Sequence, residues 1–167
     1  SSTWIAFLDA DDRWLPDRFD QILIRHLTNS DFVATAYAID THTVVQPPSC
    51  IDAPHHILTK RGIGTSTVIL KRNIISNIKF SNLRFAQDLD FWYRIFKQDY
   101  QVTYSASTRS SVSYSSNGSS KNKFVQLRYF MKVLQKNNVG LKVSIIALSS
   151  YMIGGVYTHL IRKNAKG

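Results

Sequence analysis

Three carboxylates, Asp9, Asp11 and Asp12, stand within four residues directly after the apolar run Trp4-Ile5-Ala6-Phe7-Leu8. A short apolar run bounded by a turn signal reads as a buried strand, and open α/β sheets bind ligands just beyond the carboxyl ends of their strands. Such a strand would deliver acid groups to a site. Three like charges this close repel one another, so a positive counterpart is expected, most simply a hard divalent cation with oxygen ligands. Helix capping is the structural alternative, because Asp is favoured at a helix N-terminus by side-chain capping and by the macrodipole. Capping uses one or two of these aspartates and leaves the strand-side Asp9 without a reason.

A second acidic stretch, Phe85-Ala86-Gln87-Asp88-Leu89-Asp90-Phe91-Trp92-Tyr93-Arg94-Ile95-Phe96, opens a predicted helix that packs Leu89, Trp92, Tyr93 and Phe96 inward. Asp88 at the start of that helix is placed to cap it, and the macrodipole there favours its ionised form. Capping and proton transfer are compatible roles. Asp90 and Arg94, four apart, are expected to pair on the helix surface or to brace the site.

The segment Phe7-Leu8-Asp9-Ala10-Asp11-Asp12-Arg13-Trp14-Leu15-Pro16-Asp17-Arg18-Phe19 resembles the DxD segment of family 2 glycosyltransferases, inverting nucleotide-sugar enzymes of the GT-A fold. In that family a strand ends in Asp-x-Asp-Asp and Trp-x-Pro follows. The resemblance implies that Asp9, Asp11 and Asp12 meet the donor diphosphate, with Asp11 and Asp12 holding a divalent metal, Mn2+ or Mg2+. The second stretch resembles the family's Glu-Asp motif, with Asp88 in the position of the catalytic base and Gln87 where glutamate is commonest. Gln keeps the size and hydrogen-bonding reach of Glu without its charge. An inverting transfer needs one carboxylate to take the acceptor's proton, which is the role expected of Asp88. The resemblance further places the strand after Gly62-Ile63-Gly64 beside the acceptor, so Thr65, Ser66, Gln87 and Trp92 are the expected acceptor contacts. The haloacid-dehalogenase type of phosphohydrolase also ends a strand in Asp-x-Asp. It wants Thr or Val two positions after the second Asp, where Arg13 stands.

At 167 residues, 44% hydrophobic and 19% charged, the chain suits a folded domain with a real core. Its single cysteine, Cys50, excludes an internal disulfide framework and fits a reducing compartment. The paired His55-His56 beside Pro54 lacks further ligands at zinc spacing, and His26 reads as a surface helix residue. No signal-peptide pattern precedes the first strand, which begins almost at Ser1. The resemblance therefore implies a C-terminal fragment lacking the nucleotide-binding half, and inactive by itself.

The elements that must position these groups follow from periodicity. A helix is expected over 17–27 with Pro16 in its first turn, a strand over 31–39, a loop over 41–57, and over 62–72 a glycine-punctuated loop entering a β-branched strand. A short helix over 73–78, the helix after Asp88, and a last strand over 101–104 complete a catalytic part, residues 1–104. Together with the resemblance this gives the fold class: α/β, a partial GT-A, Rossmann-like mixed sheet with flanking helices and a C-terminal helical tail. Residues 105–120 are serine-rich and read as a flexible loop, in which Arg109 and Ser113, with Lys121 just beyond it, are candidates to approach the diphosphate.

The net charge of +10 is unevenly placed. Residues 1–99 balance 11 Lys and Arg against 11 Asp, whereas residues 100–167 carry 10 Lys and Arg and no acid. A wholly basic tail, 121–167, is expected to face an anionic surface, with membrane preferred and no nucleic acid expected. Its helices are expected over 124–135 and 143–160. The second has 18 residues without a full charge, at the lower limit for a span, but its serines, glycines and His159 favour a helix lying on a membrane or on the catalytic part. The expectation is then a metal-dependent inverting transferase moving a sugar from a nucleotide-sugar donor to a saccharide or lipid-linked acceptor in cell-surface polysaccharide synthesis. It would be cytoplasmic, peripheral on the inner face of the membrane. The competing class is a non-catalytic module that binds anionic surfaces.

Overall fold

The computed structural model describes residues 2–16, 18–38, 44–48, 53–59, 63–105 and 123–164, without the side chains of 21, 22 and 154–164. The chain is mixed α/β. Strands β1 (Trp4–Ala6), β2 (Phe32–Thr35), β5 (Val68–Lys71) and β6 (Val102–Ser105) form one sheet in the order β1-β5-β2-β6. β5 runs antiparallel to both β1 and β2, and β2 runs parallel to β6. The two-residue strands β3 (Tyr37–Ala38) and β4 (Val44–Val45) pair separately.

Side-chain alternation along these strands divides the interior in two. Ile5, Phe7, Phe32, Ala34, Val68 and Leu70 belong to the larger core, which also takes Ile57 and Leu58 of α2 (His56–Thr59), Ile74 of α3 (Arg72–Asn77), and Phe91, Trp92 and Ile95 of α4 (Gln87–Phe96). Trp4, Ala6, Val33 and Ile69 face the other way, onto Leu23 and Leu27 of α1 (Gln21–Thr28). Continuing the alternation past Ile5 and Phe7 turns Asp9 toward the α4 side. The Phe7 N–H still reaches Val68 O at 3.4 Å, which carries the pairing one residue beyond β1.

Several boundaries differ from the periodicity. α1 begins at Gln21 because Asp20 caps it, its carboxylate accepting from Leu23 N–H at 2.8 Å, so Pro16 lies outside the helix. The apolar run 31–39 splits after Thr35, and Tyr37 and Ala38 turn into the small sheet. Residues Thr65–Thr67, the expected entry to the strand, form a 3-10 turn before β5.

The tail helices α5 (Lys123–Lys136) and α6 (Leu141–Asn164) do not stand apart: Phe130, Leu134 and Ala147 are buried in the larger core. Among the described residues no helix is long and apolar enough to cross a membrane. The expected loop over 105–120 lies outside the described residues apart from Ser105, which ends β6. Arg109, Ser113 and Lys121 lie outside them too.

Candidate active site

The first acidic motif is a tight turn. Asp12 N–H donates to Asp9 O at 3.1 Å, closing residues 9–12 so that Asp9 and Asp12 occupy its two ends and Asp11 the third position. The turn is fastened from below by Ser66, which is 1% exposed. Its hydroxyl accepts from Asp9 N–H at 2.9 Å and donates to Asp12 Oδ2 at 2.5 Å, while the Trp14 indole N–H donates to Ser66 O at 3.0 Å. One hydroxyl thus fixes both ends of the turn.

Ser66 is therefore a brace for the carboxylates: its one proton goes to Asp12, and the residue is 1% exposed. Trp92, also named above as an acceptor contact, is 1% exposed and lies in the core. Its ring meets Phe7 edge-on at 6.0 Å and Phe32 at 5.4 Å, and Phe80 stacks on Phe91 at 4.0 Å. Of the four expected acceptor residues, Thr65 is half-buried and Gln87 is exposed at the first position of α4.

This aromatic cluster brings the two acidic motifs together. Phe7 lies two residues before Asp9, and Trp92 lies one helical turn after Asp88 on the same face of α4. The Phe7–Trp92 contact therefore sets the end of β1 against the start of α4. Asp88 lies close enough to Asp9 for its charge to raise the Asp9 carboxyl, after burial, Asp12 and Asp11. Asp12 is raised mainly by burial and also by Asp11, against the lowering hydrogen bond from Ser66. Its Oδ1 is buried with no hydrogen-bond partner among the described residues.

Asp88 is not the cap of its helix. Ala86 holds that position with φ 56°, a left-handed conformation costly for a residue with a Cβ, and it supplies no side-chain cap. The strained residue sits directly before Gln87-Asp88. Burial raises the Asp88 carboxyl, and the opposing N–H groups of Leu89 and of Asp88 itself do not cancel the rise. The expected dipole effect is therefore outweighed by desolvation, which makes Asp88 a stronger base than an ordinary aspartate.

Asp90, two residues on, has the opposite environment. It is fully buried rather than on the helix surface, and it accepts from Arg94 Nε at 3.2 Å, Lys136 Nζ at 3.0 Å and Asn137 Nδ2 at 2.7 Å. Burial alone would raise its carboxyl, but the hydrogen bonds from Asn137 and Lys136 and the charge of Arg94 hold it below the ordinary value. It ties α4 to the C-terminal end of α5.

Two further residues near the site escape sequence reasoning. Arg18, 1% exposed, donates to Thr35 Oγ1 at 3.0 Å and to Thr67 O at 2.9 Å, and desolvation pulls it down to about 10. It pins the chain following the acidic turn to β2 and to the turn before β5. Tyr37 is raised by burial and then by the charge of Asp12, which sets it beside the acidic turn. An arginine after Trp-x-Pro offered a signal for the first; no signal in the sequence marked the second.

A divalent metal is compatible with this donor set. Among the described residues no group of three or more His, Cys, Asp or Glu converges into a cage. Mg2+-like ions, however, are commonly held by one or two carboxylates together with substrate phosphates. The partnerless buried Asp12 Oδ1 and the exposed Asp11 suit that mode.

The fold and site thus define a mixed α/β protein with two converging acidic motifs at the end of a strand and the start of a helix. Over 103 residues the chain is 29% identical to a Bacillus subtilis (strain 168) protein named "Putative teichuronic acid biosynthesis glycosyltransferase TuaG". The similarity covers 58% of this chain and 41% of that protein, so the chain spans less than half of its relative's length. No family profile and no solved structure matches the chain.

Proposed function

We propose that this chain carries the catalytic carboxylates of an inverting, metal-dependent glycosyltransferase of family 2, GT-A type, acting in cell-surface polysaccharide synthesis. The observation that carries the reading is the convergence of Asp9 and Asp88, remote in sequence, brought together by the Phe7–Trp92 contact so that the charge of Asp88 is felt at Asp9. The likeness to a protein named as a glycosyltransferase of teichuronic acid biosynthesis supports the transferase class and the surface polymer.

In this reading Asp88 takes the proton of the acceptor hydroxyl as the oxygen attacks the anomeric carbon from the face opposite the leaving group. The new glycosidic C–O bond forms while the bond to the donor diphosphate breaks, and its electron pair leaves with the nucleoside diphosphate. Asp9, Asp11 and Asp12 would meet that diphosphate, with Asp11 and Asp12 the residues that would hold Mn2+ or Mg2+. When bound, the metal supplies Lewis-acid stabilisation of the charge developing on the leaving group. Ser66 and Trp14 keep the turn in shape, and Thr65 and Gln87 lie where an acceptor can meet them. The donor is a nucleotide-sugar and the acceptor a saccharide or lipid-linked saccharide, at the cytoplasmic face of the membrane.

The test is Asp88→Asn in the full-length protein. Loss of the base lowers transfer by about 10²- to 10⁴-fold, while metal-dependent binding of the nucleotide-sugar survives. Full transfer by the variant overturns the assignment. Release of inorganic phosphate from a phosphomonoester, dependent on Asp9, would favour the phosphohydrolase instead.

A further inference from the structure

α6 is apolar on both of its sides. Val143, Ala147, Leu148 and Tyr151 face the core, and Ser150 donates to Thr59 O at 3.2 Å. The exposed positions with described side chains are Leu141, Lys142, Ile145, Ile146, Ser149, Met152 and Ile153. At 100° per residue these fall in one continuous arc of roughly 140°. Five of them are large and apolar, with exposures of 76% at Leu141, 56% at Ile145, 61% at Ile146, 58% at Met152 and 69% at Ile153. An apolar strip this continuous marks an interaction site.

Charge selects the occupant. The chain carries ten Lys and Arg and no acid from residue 100 onward, and Lys142 stands within the strip itself. An anionic bilayer offers phosphates to Lys142 and to the tail's other cations, and an acyl boundary to the apolar side chains. We infer that the outer face of α6 docks in the plane of an anionic phospholipid surface. Among the described residues no helix is long and apolar enough to cross a membrane. Because Lys136 and Asn137, at the α5 end beside α6, hold Asp90 of α4, a bilayer gripping α6 also fixes the direction in which the acidic site faces. The docking face stands whether or not the transferase reading does.

Cosedimentation of the full chain with vesicles tests it. Phosphatidylcholine vesicles containing phosphatidylglycerol should pull the protein down, less so as salt is added, and pure phosphatidylcholine should bind it more weakly. Ile145→Asp combined with Met152→Asp, both exposed and so expected to leave far-UV circular dichroism unchanged, should weaken binding by about tenfold or more. Lys142→Gln should weaken it by a smaller factor. Wild-type binding by the double variant, no binding by the wild type, or equal binding to both vesicle types overturns the inference. So does a wild-type dimer that the double variant converts to monomer without any lipid binding, since a second copy would then cover the strip.

Discussion

Asp88 and Asp90 sit on the same turn of the same helix, and their surroundings are opposite. Asp90 is enclosed by Arg94, Lys136 and Asn137, and its carboxyl is held below the ordinary value. Asp88 meets only backbone N–H groups against its burial, lies within reach of Asp9, and is raised. A carboxylate whose charge is fully answered by the protein holds the fold together. One whose charge is left unanswered costs stability and is retained for what it can do to a ligand. The same division separates Asp31, lowered by its ion pair with Lys71 and the Gln101 N–H, from Asp9 and Asp12, which are raised.

The sharpest way to break this comparison is to exchange the two roles by mutation. Asp90→Ala leaves Lys136 and Arg94 without their shared partner at a buried point. Exposed ion pairs are worth about 1 kcal/mol or less and breaking a fully buried one costs about 3–5 kcal/mol. Arg94 and Lys136 keep 27% and 43% side-chain exposure, so a loss on the order of 3 kcal/mol is expected from denaturant melts. Asp88→Asn should by contrast raise stability slightly at neutral pH while transfer collapses. If Asp88→Asn unfolds the protein and Asp90→Ala does not, the division fails.

Ser66 comes next in size. Removing its hydroxyl strands the Asp9 N–H and one oxygen of Asp12, for about 1–3 kcal/mol. The more telling readout is affinity for the metal and nucleotide-sugar: Ser66→Ala should weaken it by loosening the turn, and Ser66→Thr should restore much of it. Loss of acceptor affinity alone would return Ser66 to the role its sequence position suggested.

That suggestion shows where sequence reading stops. β6 and both tail helices follow from local apolar periodicity and turn residues, so they are visible in short windows, whereas β1 ends at Ala6 before its apolar run does and α4 is capped by Ala86 rather than Asp88. Asp20 as the cap of α1 was legible too, three residues before Leu23, but the proline at 16 drew the boundary forward. Ser66 and Trp92 looked like contacts for a sugar because their types suit one. Their actual partners, Asp12 for Ser66 and Phe7 for Trp92, lie far away in sequence and depend on which strand is laid beside which. The Asp90 network is hidden for the same reason: a helix-surface pair with Arg94 is local, while Lys136 and Asn137 arrive only when α5 docks.

Acidity offers the finest separation of the two kinds of carboxylate. Asp90 and Asp31 are depressed below their ordinary value of 3.8, so the stability they supply is present above that value and is lost as pH falls through their folded values. Asp88, Asp9 and Asp12 are raised, so their ionised forms cost stability at higher pH, and the cost disappears as they take up protons before 3.8 is reached. Thermal melts followed from neutral pH down to about 2.5 should therefore depart from wild type on different limbs. Asp88→Asn should differ at the neutral end and converge with wild type on acidification. Asp90→Asn should differ at the neutral end in the opposite sense and converge only below 3.8. Comparing each variant with wild type cancels the repulsion that the net positive charge adds at low pH. Two curves that converge over the same pH range would mean that Asp88 and Asp90 share one environment, and the contrast between base and bolt would be lost.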